Sequence, residues 1–468
     1  MWSSHILVQL SLTALGVCTH INSRVVARNV TTTNSSDPQM FQLSTNPDFH
    51  FEILRDLSAA PGGGADIGEV LIAAAQIQPG DFESYSTAFN SLADRVYARA
   101  QGIDMGRFLA SARDAYFAAS TYFRSADFYL HGNQSDPRIY TLWAQQTEAF
   151  NEAISTLPVP GVRKTLPGDG FEIPTIFYGV EGRDGKSIRR PTIILGNGYD
   201  GSQEEMYHMI GKGALERGYN VISYEGPGQP TVRRDQNLGF IPEWEKVVTP
   251  VVDYLYTLPE VDTSAIALVG FSFGGYLAAR ASAFEHRLAA TICLDGMHSF
   301  SELILGGFPP NLAALVRSGA EQQVNTALAS ILADPTTATG TRWFFDQGLW
   351  AFKTATPFDL LSLTFQYDLA NITGQIPGPI FLADAQDDMF GKGQGLYLAN
   401  QLGSKATYHQ FLAVDGAGEH CALGANNIQN QVVFDWVQGI FDTTSSNESK
   451  SDSNASASSD WRQVWTWI

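Results

Sequence analysis

Five short apolar runs rich in β-branched residues constrain the fold of this chain more than any other feature. Each run is followed by a turn and a helical pattern. The runs are Thr192–Leu195, Asn220–Tyr224, Ala265–Val269, Ala290–Leu294 and Ile380–Ala383. Strands that alternate with helices form a parallel sheet covered by helices on both faces. The sequence therefore predicts an α/β fold whose sheet begins near residue 170.

Two helical segments accompany this sheet. Between residues 81 and 155, apolar residues such as Phe82, Tyr85 and Phe89 recur at three- and four-residue steps. Residues 300–374 lack strand signals and are rich in aromatics, which is typical of an insertion that covers the strand ends as a lid. We expect a helical cap at 47–165, a core at 166–299 and 375–442, and the lid at 300–374.

The ends of the chain carry separate expectations. Residues 1–18 contain an uncharged apolar run of signal-peptide length, although no Lys or Arg precedes it. This run predicts entry into the secretory pathway; the alternative is a cytoplasmic protein with an N-terminal helix or loose arm. Residues 443–468 form a Ser- and Asn-rich low-complexity tail. Candidate N-glycosylation sites are Asn29, Asn34, Asn133, Asn371, Asn447 and Asn454.

The charge of the chain narrows its partners. There are 48 acidic and 29 basic residues, which give a net charge of −19. Nucleic-acid phosphates are bound by Lys and Arg surfaces, so this balance argues against a nucleic-acid partner. No transmembrane span is predicted. The 12% aromatic content fits either an apolar pocket for a small-molecule substrate or simply a large core, and composition does not decide between them. The oligomeric state is open, with a homodimer as one option.

The segment Gly270–Gly275 (GFSFGG) carries the chemistry. It follows the predicted strand Ala265–Val269 and precedes a helical run, which is the context of a G-x-S-x-G nucleophile elbow. Glycines are needed because side chains at Gly270 or Gly274 would collide with neighbouring backbone. The turn presents the Ser272 hydroxyl at a helix N-terminus, where free N–H groups favour a developing negative charge. Ser272 is therefore the predicted nucleophile.

A nucleophilic serine needs a base and an orienting carboxylate, which should follow it in the order acid, then histidine. His420 lies in a loop between a predicted strand and a helix, where the base is expected. Asp387 and Asp388 both follow the strand that begins near Ile380, and counting along that strand favours Asp388.

Two backbone N–H groups should form the oxyanion hole. One belongs to Phe273, and the other to the loop after the first core strand, with Tyr199 preferred over Gly198. Candidate pocket residues are Glu225, Asp295 and Trp343; for Glu225 the alternative is that it only braces a turn. No residue cluster has metal-ligand spacing and no dinucleotide motif follows a strand, so neither metal nor cofactor is expected.

Taken together, these motifs resemble a known family. Segments LGNGYDGSQEEMY from Leu195, YEGPGQ from Tyr224, GFSFGG, DDMFGKGQ from Asp387 and GEHCALG from Gly418 are similar to those of α/β-hydrolases with an N-terminal helical cap. These include FrsA-like esterases, dihydroxypseudooxynicotine hydrolase and fungal polyketide-shortening pigment hydrolases. The resemblance covers residues 80–442. It implies an α/β-hydrolase fold and a Ser272–Asp388–His420 triad.

The resemblance also implies a reaction: hydrolysis of an ester, an amide or a carbon–carbon bond beside a carbonyl, as in a retro-Claisen cleavage. The implied substrate is a polyketide of secondary metabolism. Three alternatives stay open. They are a prolyl-oligopeptidase-like peptidase, an acyltransferase and a non-catalytic binding module; a helical N-terminus argues against the first, and the presence of all three triad residue types argues against the last.

Overall fold

A computed structural model of the chain describes residues 39–181 and 188–451, with side chains as far as residue 443. Its centre is one eight-stranded sheet in the order β1-β2-β4-β3-β5-β6-β7-β8. The strands are β1 (Val162–Pro167), β2 (Glu172–Tyr178), β3 (Arg190–Gly196), β4 (Asn220–Tyr224), β5 (Val261–Phe271), β6 (Ala290–Leu294), β7 (Ile380–Ala385) and β8 (Ala406–Phe411). β2 pairs antiparallel with β1 and with β4, and the remaining neighbours pair parallel.

The sheet confirms the predicted α/β fold. The five apolar runs lie in β3 to β7 and are buried on both faces. Sequence reasoning missed β1 and β2. β1 is an edge strand whose residues are mostly exposed, so it has no apolar run to reveal it. β1 also crosses the expected boundary at residue 165, because its residues belong to the sheet rather than to the cap.

Five helices precede the sheet: Pro47–Ser58, Ile67–Ala74, Phe82–Gln101, Leu109–Asp127 and Arg138–Ser155. The first begins at Asn46, whose side chain accepts a hydrogen bond from the Phe49 N–H, and Pro47 occupies the first helical position. Their apolar faces meet around buried aromatics that include Phe49, Tyr85 and Tyr122. We call these helices the cap.

Further helices follow β3, β4, β5, β7 and β8 and cover the sheet. They are Gln203–Met206 and Lys212–Glu216, joined by the π-helical turn Tyr207–Gly211, and Pro230–Asp235, Glu245–Leu255, Phe273–Ser282, Gln394–Leu402 and Asn426–Ser451. Between β6 and β7 lie Phe300–Gly306, Pro310–Arg317, Glu321–Leu332, Thr339–Ala351 and Pro357–Thr364, which we call the lid. Within the described ranges, no helix is both long and apolar enough to span a membrane.

The structure describes only some of the residues on which the predictions for the chain ends rest. The proposed signal peptide at 1–18, and Asn29, Asn34 and Asn454, lie outside the described residues, as does the side chain of Asn447. Asn133 and Asn371 are exposed. The last helix continues to Ser451, into the segment predicted as tail, because extending a formed helix costs little even for residues with low propensity.

Candidate active site

The sequence Gly270–Gly275 forms a tight turn between β5 and the helix Phe273–Ser282, and Ser272 stands at its apex. The backbone of Ser272 has φ 59° and ψ −128°, a strained conformation for a residue with a side chain. A Cβ on Gly270 would overlap the carbonyl of Gly274, and one on Gly274 would lie 2.8 Å from the Asn197 oxygen. The turn therefore needs glycine at both positions, as predicted.

His420 is hydrogen-bonded to Ser272. It lies in the short 3₁₀ turn His420–Ala422 beyond β8, and its Nε2 is 2.8 Å from Ser272 Oγ. Its Nδ1 is 3.0 Å from Oδ2 of Asp388, which follows β7. The other oxygen of Asp388 accepts the N–H groups of Phe390 (2.7 Å) and Gly391 (3.3 Å). The structure thus brings together the three residues predicted as a triad, with Asp388 rather than Asp387 on the imidazole.

The electrostatics of this chain of contacts favour a charged pair. Burial raises the pKa of Asp388, but His420 and the two backbone N–H donors outweigh burial, and the pKa falls below its usual value. Burial lowers the pKa of His420, but Asp388 and the other groups around it raise that pKa well above the usual value. The carboxylate therefore stabilises an imidazolium, which forms when Nε2 takes a proton.

Asp295 makes a second contact with the same imidazole. It follows β6 directly, and its Oδ2 lies 2.9 Å from His420 Nδ1 and accepts the N–H of Cys421 at 2.7 Å. Burial and the charge of Asp388 raise the pKa of Asp295 to about 6. The sequence indicated Asp295 only as a pocket residue; its position after a strand was the available signal for more.

The loop after β3 supplies one side of the candidate oxyanion hole. The N–H of Gly198 donates to Oδ1 of its neighbour Asn197 at 2.8 Å and is therefore occupied. Among the described residues, the N–H groups of Tyr199 and Phe273 have no acceptor. The geometry favours Tyr199 over Gly198, because a donor for an oxyanion must have no competing acceptor.

Three buried polar side chains that the sequence analysis missed hold this loop. Gln229 Nε2 donates to the carbonyl of Asn197 at 2.6 Å. Gln347 Nε2, from the lid, donates to the carbonyl of Tyr199 at 3.0 Å. Glu205 accepts a hydrogen bond from Asn197 Nδ2 at 3.0 Å. Sequence patterns do not identify such partners, because they lie 8 to 148 positions away and each is an ordinary polar residue.

A cavity of about 1480 Å³, part of it open to solvent, lies above Ser272. Cap, core and lid all contribute to its walls. Its aromatic residues include Phe51, Tyr199, Phe300, Trp343, Phe344 and Phe390. Cavities that bind small molecules are mainly apolar with a few converging polar groups, and this one fits that description.

Of the other candidate pocket residues, Asp295 and Trp343 line the cavity but Glu225 does not. Glu225 is fully buried beneath the loop, where its two oxygens accept the N–H groups of Gln203 (2.9 Å) and Thr231 (2.6 Å). It is therefore not a pocket residue, and its position fits the alternative of a bracing role, because both oxygens accept N–H groups at the starts of two helices. Burial and the nearby Glu204 raise its pKa to about 7.

One group of side chains has the composition of a possible metal site, although the sequence predicted none. Asp295, His420 and Cys421 have potential ligand atoms within 4.8 Å of one another, the one such trio in the part of the chain that the structure describes. These atoms already form hydrogen bonds within the protein, and Cys421 Sγ donates to the carbonyl of Leu294 at 3.1 Å.

An ionic cluster joins the cap to the loop after β3, which carries Asn197, Tyr199 and Asp200. Arg55, on the first cap helix, donates from Nη2 to Glu205 at 2.7 Å and from Nη1 to Asp200 at 2.8 Å. Burial raises the pKa of Glu205, but Arg55 and Arg124 outweigh it and lower that pKa to about 2. Glu205 in turn holds Asn197. Arg55 of the cap is thus linked through Glu205 and Asn197 to the loop that carries Tyr199.

Replacing Arg55 with methionine is expected to lower the free energy of unfolding by ~3–5 kcal/mol, because Glu205 and Asp200 lose their nearest cation and, within the described residues, keep only Arg124, at 4.0 Å and 3.6 Å. Urea denaturation would measure the loss. Arg317→Met is the matched control: Arg317 is exposed and pairs with exposed Glu302, so its loss should cost only ~0–1 kcal/mol. Equal losses in the two variants would contradict a special role for the ionic cluster.

Known proteins resemble this chain in sequence and in fold. The sequence profile of the alpha/beta hydrolase family matches residues 193–427. The 20-hydroxy-prefusarin hydrolase FUS2 of Gibberella moniliformis is 30% identical over 420 residues, which cover 86% of this chain and 98% of FUS2. Hydrolase LUC6 of a Fusarium species is 30% identical over 427 residues, with 86% and 98% covered.

Among solved structures, 2,6-dihydroxy-pseudo-oxynicotine hydrolase superimposes with a TM-score of 0.62 at 20% identity, covering 82% of this chain and 95% of that protein. That similarity concerns the fold, whereas the similarity to the fungal hydrolases extends along most of both sequences. The expected α/β-hydrolase fold is confirmed, and the chain is a hydrolase that belongs to the alpha/beta hydrolase family.

Proposed function

We propose that the protein is a serine hydrolase that cleaves a bond beside a carbonyl in an apolar small molecule. The observation that carries the proposal is the hydrogen-bonded series Ser272–His420–Asp388, at 2.8 Å and 3.0 Å, beneath an aromatic-lined cavity. A serine hydroxyl is a weak nucleophile until a neighbouring base takes its proton. His420 is in hydrogen-bonding contact with that hydroxyl, and Asp388 stabilises the resulting positive charge.

The reaction proceeds through an acyl-enzyme. Ser272 Oγ attacks the substrate carbonyl carbon while its proton passes to His420 Nε2. The negative oxygen accepts hydrogen bonds from the N–H groups of Tyr199 and Phe273. His420 returns the proton to the leaving group, which is an alcohol, an amine or, for a carbon–carbon bond, an enolate stabilised by a second carbonyl. Water, activated by His420, then releases the acid and restores Ser272.

The substrate class is proposed from the cavity and from the relatives. The walls around Tyr199, Trp343 and Phe390 suit a long or ring-containing apolar body, since aromatic faces gain by stacking and by excluding water. One 30% identical relative is named for hydrolysis of 20-hydroxy-prefusarin. We therefore propose a polyketide of secondary metabolism as the substrate, with an ester, amide or carbon–carbon bond cleaved.

A fluorophosphonate probe and a three-substrate panel test this proposal. The panel is an aromatic ester, the corresponding amide and a β-diketone with the same acyl group. We expect the probe to label Ser272, as located by peptide mass spectrometry, and the acid product to gain one ¹⁸O from labelled water. Labelling at another residue, or no labelling, would contradict the serine mechanism. Transfer to an added alcohol in excess of acid formation would indicate an acyltransferase instead.

A further inference from the structure

Two carboxylates converge on one nitrogen of His420. Nδ1 lies 3.0 Å from Oδ2 of Asp388 and 2.9 Å from Oδ2 of Asp295. Asp388 follows β7 and Asp295 follows β6, so adjacent strands of the sheet deliver them to the same point. A histidine needs only one acceptor at Nδ1 to fix its ring and tautomer. The second carboxylate is therefore more than the orientation of His420 requires.

Apart from His420, Asp295 has one hydrogen-bond partner in the described part of the protein. Its Oδ2 also accepts the Cys421 N–H, while its Oδ1 is buried and has no hydrogen-bond partner in the described part of the protein. An unpaired buried carboxylate oxygen is costly. The attraction of a positively charged His420 is the available compensation, and it is strongest when His420 is an imidazolium, the form it takes during the reaction.

Few other titratable groups act on this pair. Asp388 and the Cys421 thiol face His420, and Tyr408 on β8 interacts with Asp295. Asp384 acts on Asp388 from β7, but its oxygens accept hydrogen bonds from Gly395, Leu396 and Tyr408. From the cap and the segment after β7, the rings of Phe51 and Phe390 cover His420. No Lys or Arg is hydrogen-bonded or ion-paired to Asp295 or Asp388 among the residues that the structure describes.

We propose that Asp295 is a second positioning carboxylate for His420. It can hold the imidazole in place of Asp388, and its charge sets the lower pH limit of activity. This proposal rests on the proposed serine mechanism. Two negative groups close together make His420 hold its proton more firmly. His420 acts as a base only after losing that proton. The double carboxylate thus gives the enzyme an alkaline working range.

The pH dependence of fluorophosphonate labelling tests the proposal without a known substrate. In wild type the labelling rate should rise with pH as His420 loses its proton. Asp295→Asn removes one negative charge, keeps the shape, and should let His420 lose its proton at lower pH. We expect the acidic limb of the rate profile to move down by on the order of one pH unit. Asp387→Asn, which removes a charge from the same loop as Asp388, is the matched control and should leave the limb in place.

A second measurement separates positioning from mere support of the fold. Loss of the sole orienting carboxylate of a triad slows catalysis by about 10⁴-fold. If Asp295 replaces Asp388, the Asp388→Asn variant should label only about 10- to 100-fold more slowly than wild type, and the double variant Asp295→Asn/Asp388→Asn should reach the full loss of about 10⁴-fold. Thermal unfolding of each variant identifies any that does not fold, and Asp295→Glu, which restores the charge, should return the limb toward the wild-type position.

The outcomes are distinct. A limb that does not move in Asp295→Asn, together with an Asp388→Asn variant as slow as the double variant, would overturn the role of Asp295. If wild type fails to label at Ser272, the serine mechanism itself is wrong. If Ser272 is labelled at the normal rate and substitution of Asp295 changes neither the pH profile nor the rate, only the proposed role of Asp295 is disproved.

Discussion

Replacing Ser272 with alanine is expected to slow hydrolysis by at least about 10⁴-fold, the largest effect that any single substitution in this protein should have. The substitution removes the one oxygen that lies 2.8 Å from His420 Nε2, so no acyl-enzyme can form. The residual rate should come from substrate binding and the oxyanion donors acting on water directly. Turnover of the panel substrate that wild type hydrolyses fastest measures the loss.

The control for this variant is Ser282→Ala, on the helix that follows Ser272. Ser282 is buried and its hydroxyl donates to the carbonyl of Ala279 at 2.9 Å, away from the cavity. The Ser282→Ala variant should retain near wild-type turnover. Both variants should unfold near the wild-type temperature. A Ser272→Ala protein that is folded and hydrolyses at the wild-type rate would contradict the mechanism.

Gly198→Ala is expected to give the second-largest loss, about 10²- to 10³-fold in kcat, the cost of one displaced oxyanion donor. A Cβ at position 198 would lie 2.8 Å from the Phe271 oxygen and 2.9 Å from the Phe273 nitrogen. Both are backbone atoms and cannot rotate away. The loop would have to withdraw from the nucleophile helix, and the Tyr199 N–H would withdraw with it.

Steady-state kinetics distinguishes this loss from a binding defect, because a donor that acts on the transition state lowers kcat more than it raises KM. Gly439→Ala, in the last helix, is the control: a Cβ there meets nothing within 4 Å, and alanine favours helix. It should leave kcat unchanged and slightly stabilise the protein. An unchanged kcat in Gly198→Ala would show that the loop does not contribute the second donor.

The sequence was most informative where one local segment determines a structure. The strands β3 to β7 are buried on both faces, so their apolar runs are continuous and easily recognised. The Ser272 turn and His420 follow from local motifs in the same way. By contrast, β1 is largely exposed and has no such pattern.

Contacts between distant segments were not predictable. Asp295 and Asp388 meet only because β6 and β7 are neighbours, a fact of strand order rather than of either segment. For Glu225 the sequence left a pocket role and a bracing role open, because the two helix starts whose N–H groups it accepts are not adjacent to it in sequence. Arg55 belongs to a cap helix, and nothing in its own segment indicates that its partners lie near the first core strand.

The contacts that Arg55 makes outside the cap limit how the cap and the sheet can be separated or exchanged. The cations that face Glu205 and Asp200 are Arg55 and Arg124, both on cap helices, so a sheet unit produced without the cap would carry two carboxylates with neither of these counter-charges. A cap exchanged between relatives should therefore carry arginines at the positions of both Arg55 and Arg124. The cap lines the cavity through Phe51 and holds Glu205 through Arg55, so a change of cap that reshapes the cavity also changes the support of the loop after β3.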